Sequence, residues 1–315
     1  MIGRCAVTEQ KKHYSNTRTI IFVVLICFVC ALILSVLSTL LKKPQEDAEK
    51  LYNSKQLLIS ARILNYQDGF DVMESNGSFE MARFDDSTQL LEKSEQFVKA
   101  KDDQILTLYS SRVQTRLTNK DGEVFTFEQA GINEQEYMSK SEKLGYAKLD
   151  YKLLYIILPN LPENQITDKT PVYGYVIPIA GYGLWDAIYG YLCLEANANT
   201  IIGTTWYNQK ETPGLGGEIG TAEWQKQFYG KKIFLENTDG TTNFQRSLLG
   251  IKVVKTTVKE ELGKTPASNS AVDGIAGASI TIAGVTEAYR QTLGPYRPFL
   301  IKAHNNYLNQ TNKGK

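Results

Sequence analysis

Histidine is nearly absent: the 315-residue chain has two, His13 and His304. A His-built metal centre and a Ser-His-Asp hydrolase each need imidazole beside the reacting atom, so both chemistries are disfavoured. Cysteine is almost as scarce. Of four, Cys27 and Cys30 have C-x-x-C spacing but lie inside an apolar run, where thiols are packing residues. With Cys5 ahead of that run, Cys193 is alone in the remainder, and an internal disulfide framework is excluded there. An excess of one charge is missing too, since 35 Lys and Arg against 34 Asp and Glu leave a formal net charge of +1. Without a polyelectrolyte signature, nucleic acid is not an expected partner. A hydrophobic share of 42% with 22% charged residues suits a domain that buries its own core.

Long apolar runs are not lacking. Thr19 to Leu41, "TIIFVVLICFVCALILSVLSTLL", carries no formal charge. As a helix it extends about 35 Å, enough for a tilted membrane crossing. A cleaved signal peptide has a shorter apolar region ending in small residues, whereas this run ends at Lys42-Lys43. Arg4, Lys11, Lys12 and Arg18 precede the span, and Lys42, Lys43 and Lys50 follow it among acidic residues. The bias favours a cytoplasmic N-terminus and an extracytoplasmic main domain. The span holds no ionisable residue that would suggest an ion path.

Leu51, Leu57, Leu58, Ala61 and Leu64 recur at helical intervals and predict a juxtamembrane helix over 42–64. Residues 65–150 are polar, with a hairpin expected in "SSRVQTRLTNKDGEVFTF", where Asp121-Gly122 supplies the turn. Asn76-Gly77-Ser78 matches a glycosylation acceptor but reads better as a turn. From 151 onward, "YKLLYIILPN" and "PVYGYVIPIAGYG" read as buried strands, and "AIYGYLCLEANANTIIGTTWYN" as two strands about a turn at Ala196 to Asn199. "TAEWQKQFYG" reads as a short helix, "GIKVVK" as a short strand, and "TIAGVTEAYRQTL" as a helix with Ile282, Val285, Tyr289 and Leu293 near one face, stopped by Pro295 and Pro298. The class is α+β with antiparallel strands, behind one N-terminal transmembrane helix.

Three stretches could carry chemistry. In "QKETPGLGGEIG", Gly214, Gly216 and Gly217 permit tight turns beside Glu211 and Thr212, but Ile219 breaks the G-x-G-x-x-G fingerprint and no P-loop lysine follows. "GYGLWDAIYG" sets Leu184-Trp185 between glycines, as an aromatic plate or a core tryptophan. In "AVDGIAGASITIAGV", Ser279 and Thr281 stand at the expected start of a helix, where free N–H groups and the helix dipole suit a phosphate, or where they serve as ordinary caps. "GASIT" is not G-x-S-x-G, which disfavours a nucleophilic hydrolase serine.

Together, "GYGLWDAIYGYL", "ETPGLGGEI" and "DGIAGASIT", in this order and spacing behind one membrane helix, resemble the family of FMN-binding C subunits of the Na⁺-translocating NADH:quinone oxidoreductases. The resemblance is firm over 171–293 and loose over 65–150. It implies FMN joined through its phosphate to a hydroxyl in a D-G-x-[ST]-G-A-[ST]-x-[ST] motif. Asp273 and Gly274 open that motif here, Gly277 and Ala278 precede the acceptor position, Ser279 occupies it, and Thr281 follows. Trp185, Glu211, Thr212 and Leu215 are implied to surround the flavin. Two departures stand out: Ser replaces the more usual Thr at 279, and Ala276 replaces an earlier hydroxyl residue. A histidine often found before Glu211 is absent, Asn208-Gln209-Lys210 standing there instead, so no role passes to it.

The implied organisation is a cytoplasmic N-terminus at 1–18, a span at 19–41, a juxtamembrane helix at 42–64, a polar subregion at 65–150, an FMN-binding domain at 151–300 and a tail at 301–315. The implied function is one-electron relay by an electron carrier anchored in a bacterial inner membrane, its main domain periplasmic. The implied partners are the complex's other subunits and a flavin transferase, and sodium export belongs to the whole complex. The homologous flavin subunit of the ferredoxin:NAD⁺ oxidoreductase pump shares the flavin motif. A membrane-tethered assembly module with an unused flavin site is a reading of another class.

Overall fold

The computed structural model describes residues 16–74, 77–141, 145–167 and 170–313. Arg4, Lys11, Lys12, Cys5, His13 and Asn76 lie outside them. The chain divides into two compact units, one ending at Lys50 and the other starting at Leu51.

The first unit is the greater part of helix α1, Asn16–Ser60. Its apolar side chains are exposed on every side, from Ile20 to Leu41, which is the pattern of a helix solvated by lipid. α1 is long and apolar enough to cross a membrane. Thr39 satisfies its hydroxyl on the Ser35 carbonyl, four residues back, at 2.9 Å. Two helices were expected here, yet the helix runs on through Pro44. Only the Leu40 carbonyl loses its partner to the proline, on an exposed surface.

In the second unit α1 ends at Ser60, short of the expected Leu64. The Ile63 amide bonds to the Leu58 carbonyl and the Arg62 amide to that of Ile59, with Arg62 left-handed at φ 52°. This is a Schellman cap with arginine in glycine's usual place, closed by burial of Leu58 and Ile63 in one cluster.

Next comes an antiparallel three-stranded sheet of β1 (Phe70–Met73), β2 (Phe79–Asp85) and β3 (Leu90–Lys93). The main sheet has six strands in the order β5-β4-β6-β7-β8-β9: Val124–Phe125, Val113–Thr118, Lys152–Ile157, Gly174–Tyr182, Ala187–Glu195 and Ile201–Asn208. Every neighbouring pair is antiparallel. β4 and β5 form the expected hairpin, so the sheet crosses the boundary expected at 150/151. Both faces are covered, which explains why β6 reads "KLLYII" without alternation: Leu153, Tyr155 and Ile157 enter the cluster holding Leu57 and Ile105, while Leu154 enters the one holding Tyr289. Helices α2 (Asp102–Arg112) and α3 (Glu134–Ser141) flank the first cluster's residues in sequence.

The second cluster is built on helix α6, Ser279–Lys313. Ile282, Val285, Tyr289 and Leu293 are all buried, as their spacing predicts. The expected stop at Pro295 and Pro298 does not occur; the helix continues across both and takes in most of the expected tail. Tertiary packing overrides the two missing donors, because Tyr296, Phe299, Leu300 and Ala303 are buried and the Tyr296 hydroxyl donates to the Leu153 carbonyl at 2.6 Å. Between β9 and α6 lie the short α4 (Ala222–Gln225), β10 (Lys252–Val253), α5 (Val258–Glu261) and β11 (Ala271–Val272). β10 and β11 pair in parallel, an exception to the expected antiparallel pattern.

Candidate functional site

Glu211 joins the three glycine-bearing stretches. It is 5% exposed, and its carboxylate accepts the backbone N–H groups of Leu184 and Trp185, each at 3.0 Å. The Thr281 hydroxyl donates to the same carboxylate. One side chain thus fastens the β7–β8 turn and the first turn of α6 to the loop after β9. Burial pushes the Glu211 carboxyl up, but the bonds from Thr281, Trp185 and Leu184 together outweigh it, and the group lies below the ordinary glutamate value. The carboxylate form is the one these donors require.

Glycine is needed where these parts touch. A Cβ at Gly183 would collide with the Glu211 carboxylate, and one at Gly216, whose φ is 135°, would stand 2.7 Å from the Thr281 hydroxyl oxygen. Glu218 draws the loop into shape by accepting the N–H groups of Gly214 at 2.6 Å and Gly216 at 3.0 Å. Thr212 accepts the Trp185 indole N–H at 3.1 Å. That bond stands the indole on the surface, 67% exposed, so Trp185 is not a core residue. Leu215 is 53% exposed and lies 3.4 Å from a Cβ placed on Gly277, itself left-handed at φ 77°.

The motif from Asp273 divides its labour. The Asp273 carboxylate takes the Val258 N–H at 2.6 Å and its carbonyl takes the Trp224 indole N–H at 3.1 Å. Gly274 donates to the Thr256 carbonyl, and a Cβ there would strike the Val254 carbonyl. These two residues anchor the strand end. Ala278 is buried and precedes Ser279 without a side chain able to cap the helix, so the N–H groups of Ser279, Ile280 and Thr281 have no protein acceptor among the described residues. Ser279 is exposed, whereas Thr281 is 1% exposed with its proton committed to Glu211. The two hydroxyls are therefore physically different groups.

Sequence reasoning missed Tyr182 and Ile280 as surface residues of this region; they are 73% and 59% exposed. Tyr182 beside a G-x-G turn, and Ile280 in the polar first turn of a helix, were the available signals. Gly284 serves packing: a Cβ there would overlap the Tyr182 carbonyl, so glycine lets α6 lie directly on β7.

The sequence profile of the FMN-binding domain family matches residues 183–294, which contain all three loops. The C subunit of the Na⁺-translocating NADH-quinone reductase of Chlamydia caviae is 38% identical over 302 residues, covering 93% of this chain and 94% of that protein. The chain belongs to this C-subunit family. The Chlamydia pneumoniae family member is 39% identical, covering 93% of each chain. The crystal structure of the Parabacteroides distasonis family member, at 1.10 Å resolution, shares the fold with a TM-score of 0.50 at 24% identity, over 82% of this chain and 96% of that one. Membership of the C-subunit family accounts for the length of the match, which reaches through residues 65–150 and well beyond the flavin-binding profile.

Proposed function

We propose that this chain is the membrane-anchored electron-relay subunit of a Na⁺-translocating NADH:quinone reductase, with FMN held as a phosphoester on Ser279. The observation that carries the attachment site is the contrast between the two hydroxyls: Ser279 is exposed on the first turn of α6, and Thr281 is buried against Glu211. The uncapped N–H groups of residues 279–281 suit the phosphate, both as donors and through the helix dipole. The exposed faces of Trp185 and Leu215 suit an isoalloxazine ring, and Gly277 leaves the chain bare beside Leu215. Bound FMN supplies the redox chemistry; the chain positions it and needs no general acid or base. Leu184 and Trp185 are held by Glu211 through their backbone, which fixes the indole's place before any ligand arrives.

The family fit to the quinone-reducing complex, at 38% identity over nearly the whole chain, supports this reading over the ferredoxin-linked pump. The other subunits and a flavin transferase are the partners this assigns. Arg18 and the basic residues ahead of it support a cytoplasmic N-terminus, and with it a flavin domain in the periplasm of a bacterial inner membrane. Intact mass of the denatured chain, co-expressed with a flavin transferase, tests the attachment. Wild type and Thr281→Val should each carry the mass of one FMN less one water, and Ser279→Ala none. An unmodified wild type removes the carrier reading, and a modified Ser279→Ala moves the attachment elsewhere.

A further inference from the structure

The turn at 65–69 lies at the start of the polar subregion, in which the sequence shows no chemistry, yet it reaches the loops just described. The Asn65 side-chain oxygen accepts the N–H groups of Gln67 at 3.1 Å and Gly69 at 2.8 Å, and the Asp68 N–H donates to the Asn65 carbonyl at 3.1 Å. Three bonds therefore fix the backbone that carries Tyr66. The Tyr66 hydroxyl donates to the side-chain oxygen of Gln225, the last residue of α4. Burial pushes the phenol up to about 12 against the pull of Arg62, so the proton it donates is present throughout the neutral range.

Gln225 is 3% exposed, and its amide NH₂ donates to the Ile219 carbonyl at 2.8 Å. A carbonyl can only accept, so the NH₂ must face Ile219 and the amide oxygen must face Tyr66, whose hydroxyl supplies the donor. The side chain is thus oriented from both ends. The segment that carries it is also tied to the Asp273 motif, because the Asp273 N–H donates to the Gln227 side-chain oxygen at 2.9 Å, beside the bond from the Trp224 indole.

Ile219 closes the glycine-bearing loop that presents Leu215. Gly214 and Gly216 are left-handed there, at φ 80° and 135°, and Glu218, which accepts their N–H groups, belongs to the same loop, so it shapes the loop without mooring it. Mooring comes from Ile219: its side chain is buried in the cluster around Tyr289, and the Gln225 bond on its carbonyl fixes the plane of its peptide. We propose that Gln225, oriented by Tyr66, is a positioning residue for the flavin, holding this loop so that Leu215 stays against the isoalloxazine ring. The proposal rests on the reading above that sets Leu215 beside the ring.

Amide hydrogen exchange of the full Ser279→Ala chain in detergent tests the mooring without flavin. Gln225→Leu in that background leaves the buried Ile219 carbonyl without its donor. Protection at Gly217 and Ile219, whose amides bond to the Thr212 and Gly216 carbonyls, should then fall about 5- to 150-fold, the range expected when a buried acceptor is left unmet. Tyr66→Phe keeps the Ile219 bond but frees the amide to turn; it should give a smaller fall at the same amides, and it decides the matter if Gln225→Leu does not fold. Visible circular dichroism of the flavin-bearing chain is the second readout, because a residue that only stabilises the fold would leave it unchanged. Leu215→Ala and Gln225→Leu should each weaken the flavin signal, and the two together no more than Leu215→Ala alone, since Gln225 acts through Leu215. A signal unmoved by Leu215→Ala would refute the reading that sets Leu215 beside the ring, and the proposal with it. Unchanged exchange at Gly217 and Ile219, additive losses in the double variant, or a signal that responds to Leu215→Ala but to neither Gln225→Leu nor Tyr66→Phe would overturn the proposal and leave that reading standing.

Discussion

Glu211→Gln is the perturbation that tests the site most sharply, because it keeps shape and removes charge. The carboxylate accepts from Leu184, Trp185 and Thr281 while 5% exposed. An amide has one oxygen, so at best it keeps the Leu184 and Thr281 bonds and turns its NH₂ toward the Trp185 N–H. Three bonds to a charged acceptor, at about 1.5–3 kcal/mol each, become two neutral ones at about 0.5–1.5 kcal/mol, with one buried donor left unmet. Relief of the carboxylate's desolvation offsets part of this, and a net loss of about 2–4 kcal/mol remains. The loss is local to the turn and α6's first residues, so amide hydrogen exchange is the assay. Protection at Leu184 and Trp185 should fall by roughly 30- to 1,000-fold, while protection in β8 is retained. Unchanged exchange at those two amides would refute the claim that Glu211 holds the site together.

The same carboxylate gives the site a pH dependence. Its folded value is below the ordinary one, so the unfolded loop binds more protons and stability is present above about pH 4.3. As pH falls from there through the folded value, Leu184 and Trp185 protection should decline in wild type and not in Glu211→Gln. Gly284→Ala forces a methyl into the Tyr182 carbonyl and should cost about 1–3 kcal/mol, read as a melting temperature lowered by roughly 3–10 °C; an unchanged midpoint would show that α6 does not rest on β7 as described. Trp185→Leu removes an exposed side chain, so the melting temperature should stay within about 2 °C while the emission of the attached flavin rises for want of the indole. Unaltered emission would show that Trp185 is not beside the ring.

Much of the architecture was legible where local physics and tertiary packing agree. The Asp121-Gly122 hairpin, the β8–β9 turn and the buried face of α6 follow from turn chemistry and from 3.6-residue spacing. Pro44, Pro295 and Pro298 misled the reading because a proline removes one donor, and a helix keeps its course when exposed solvent or buried neighbours such as Tyr296 and Phe299 compensate. The end of α1 was misplaced because nothing in the sequence marks Arg62 as a left-handed cap; glycine would have.

The sequence by itself determined the apolar span, the α+β class and the family, since each rests on composition or on an ordered set of short motifs. It also delivered Ser279 and Thr281 as a pair of hydroxyls two residues apart at a helix start. The family resemblance singled out Ser279 as the acceptor; only the tertiary structure showed what physically separates the two. Residues two apart on the first turn of a helix point about 200° away from each other, so one can be buried while the other stays in solvent. Which one is buried depended on Glu211, some seventy positions earlier, whose carboxylate had to be inside the fold to claim the Thr281 proton.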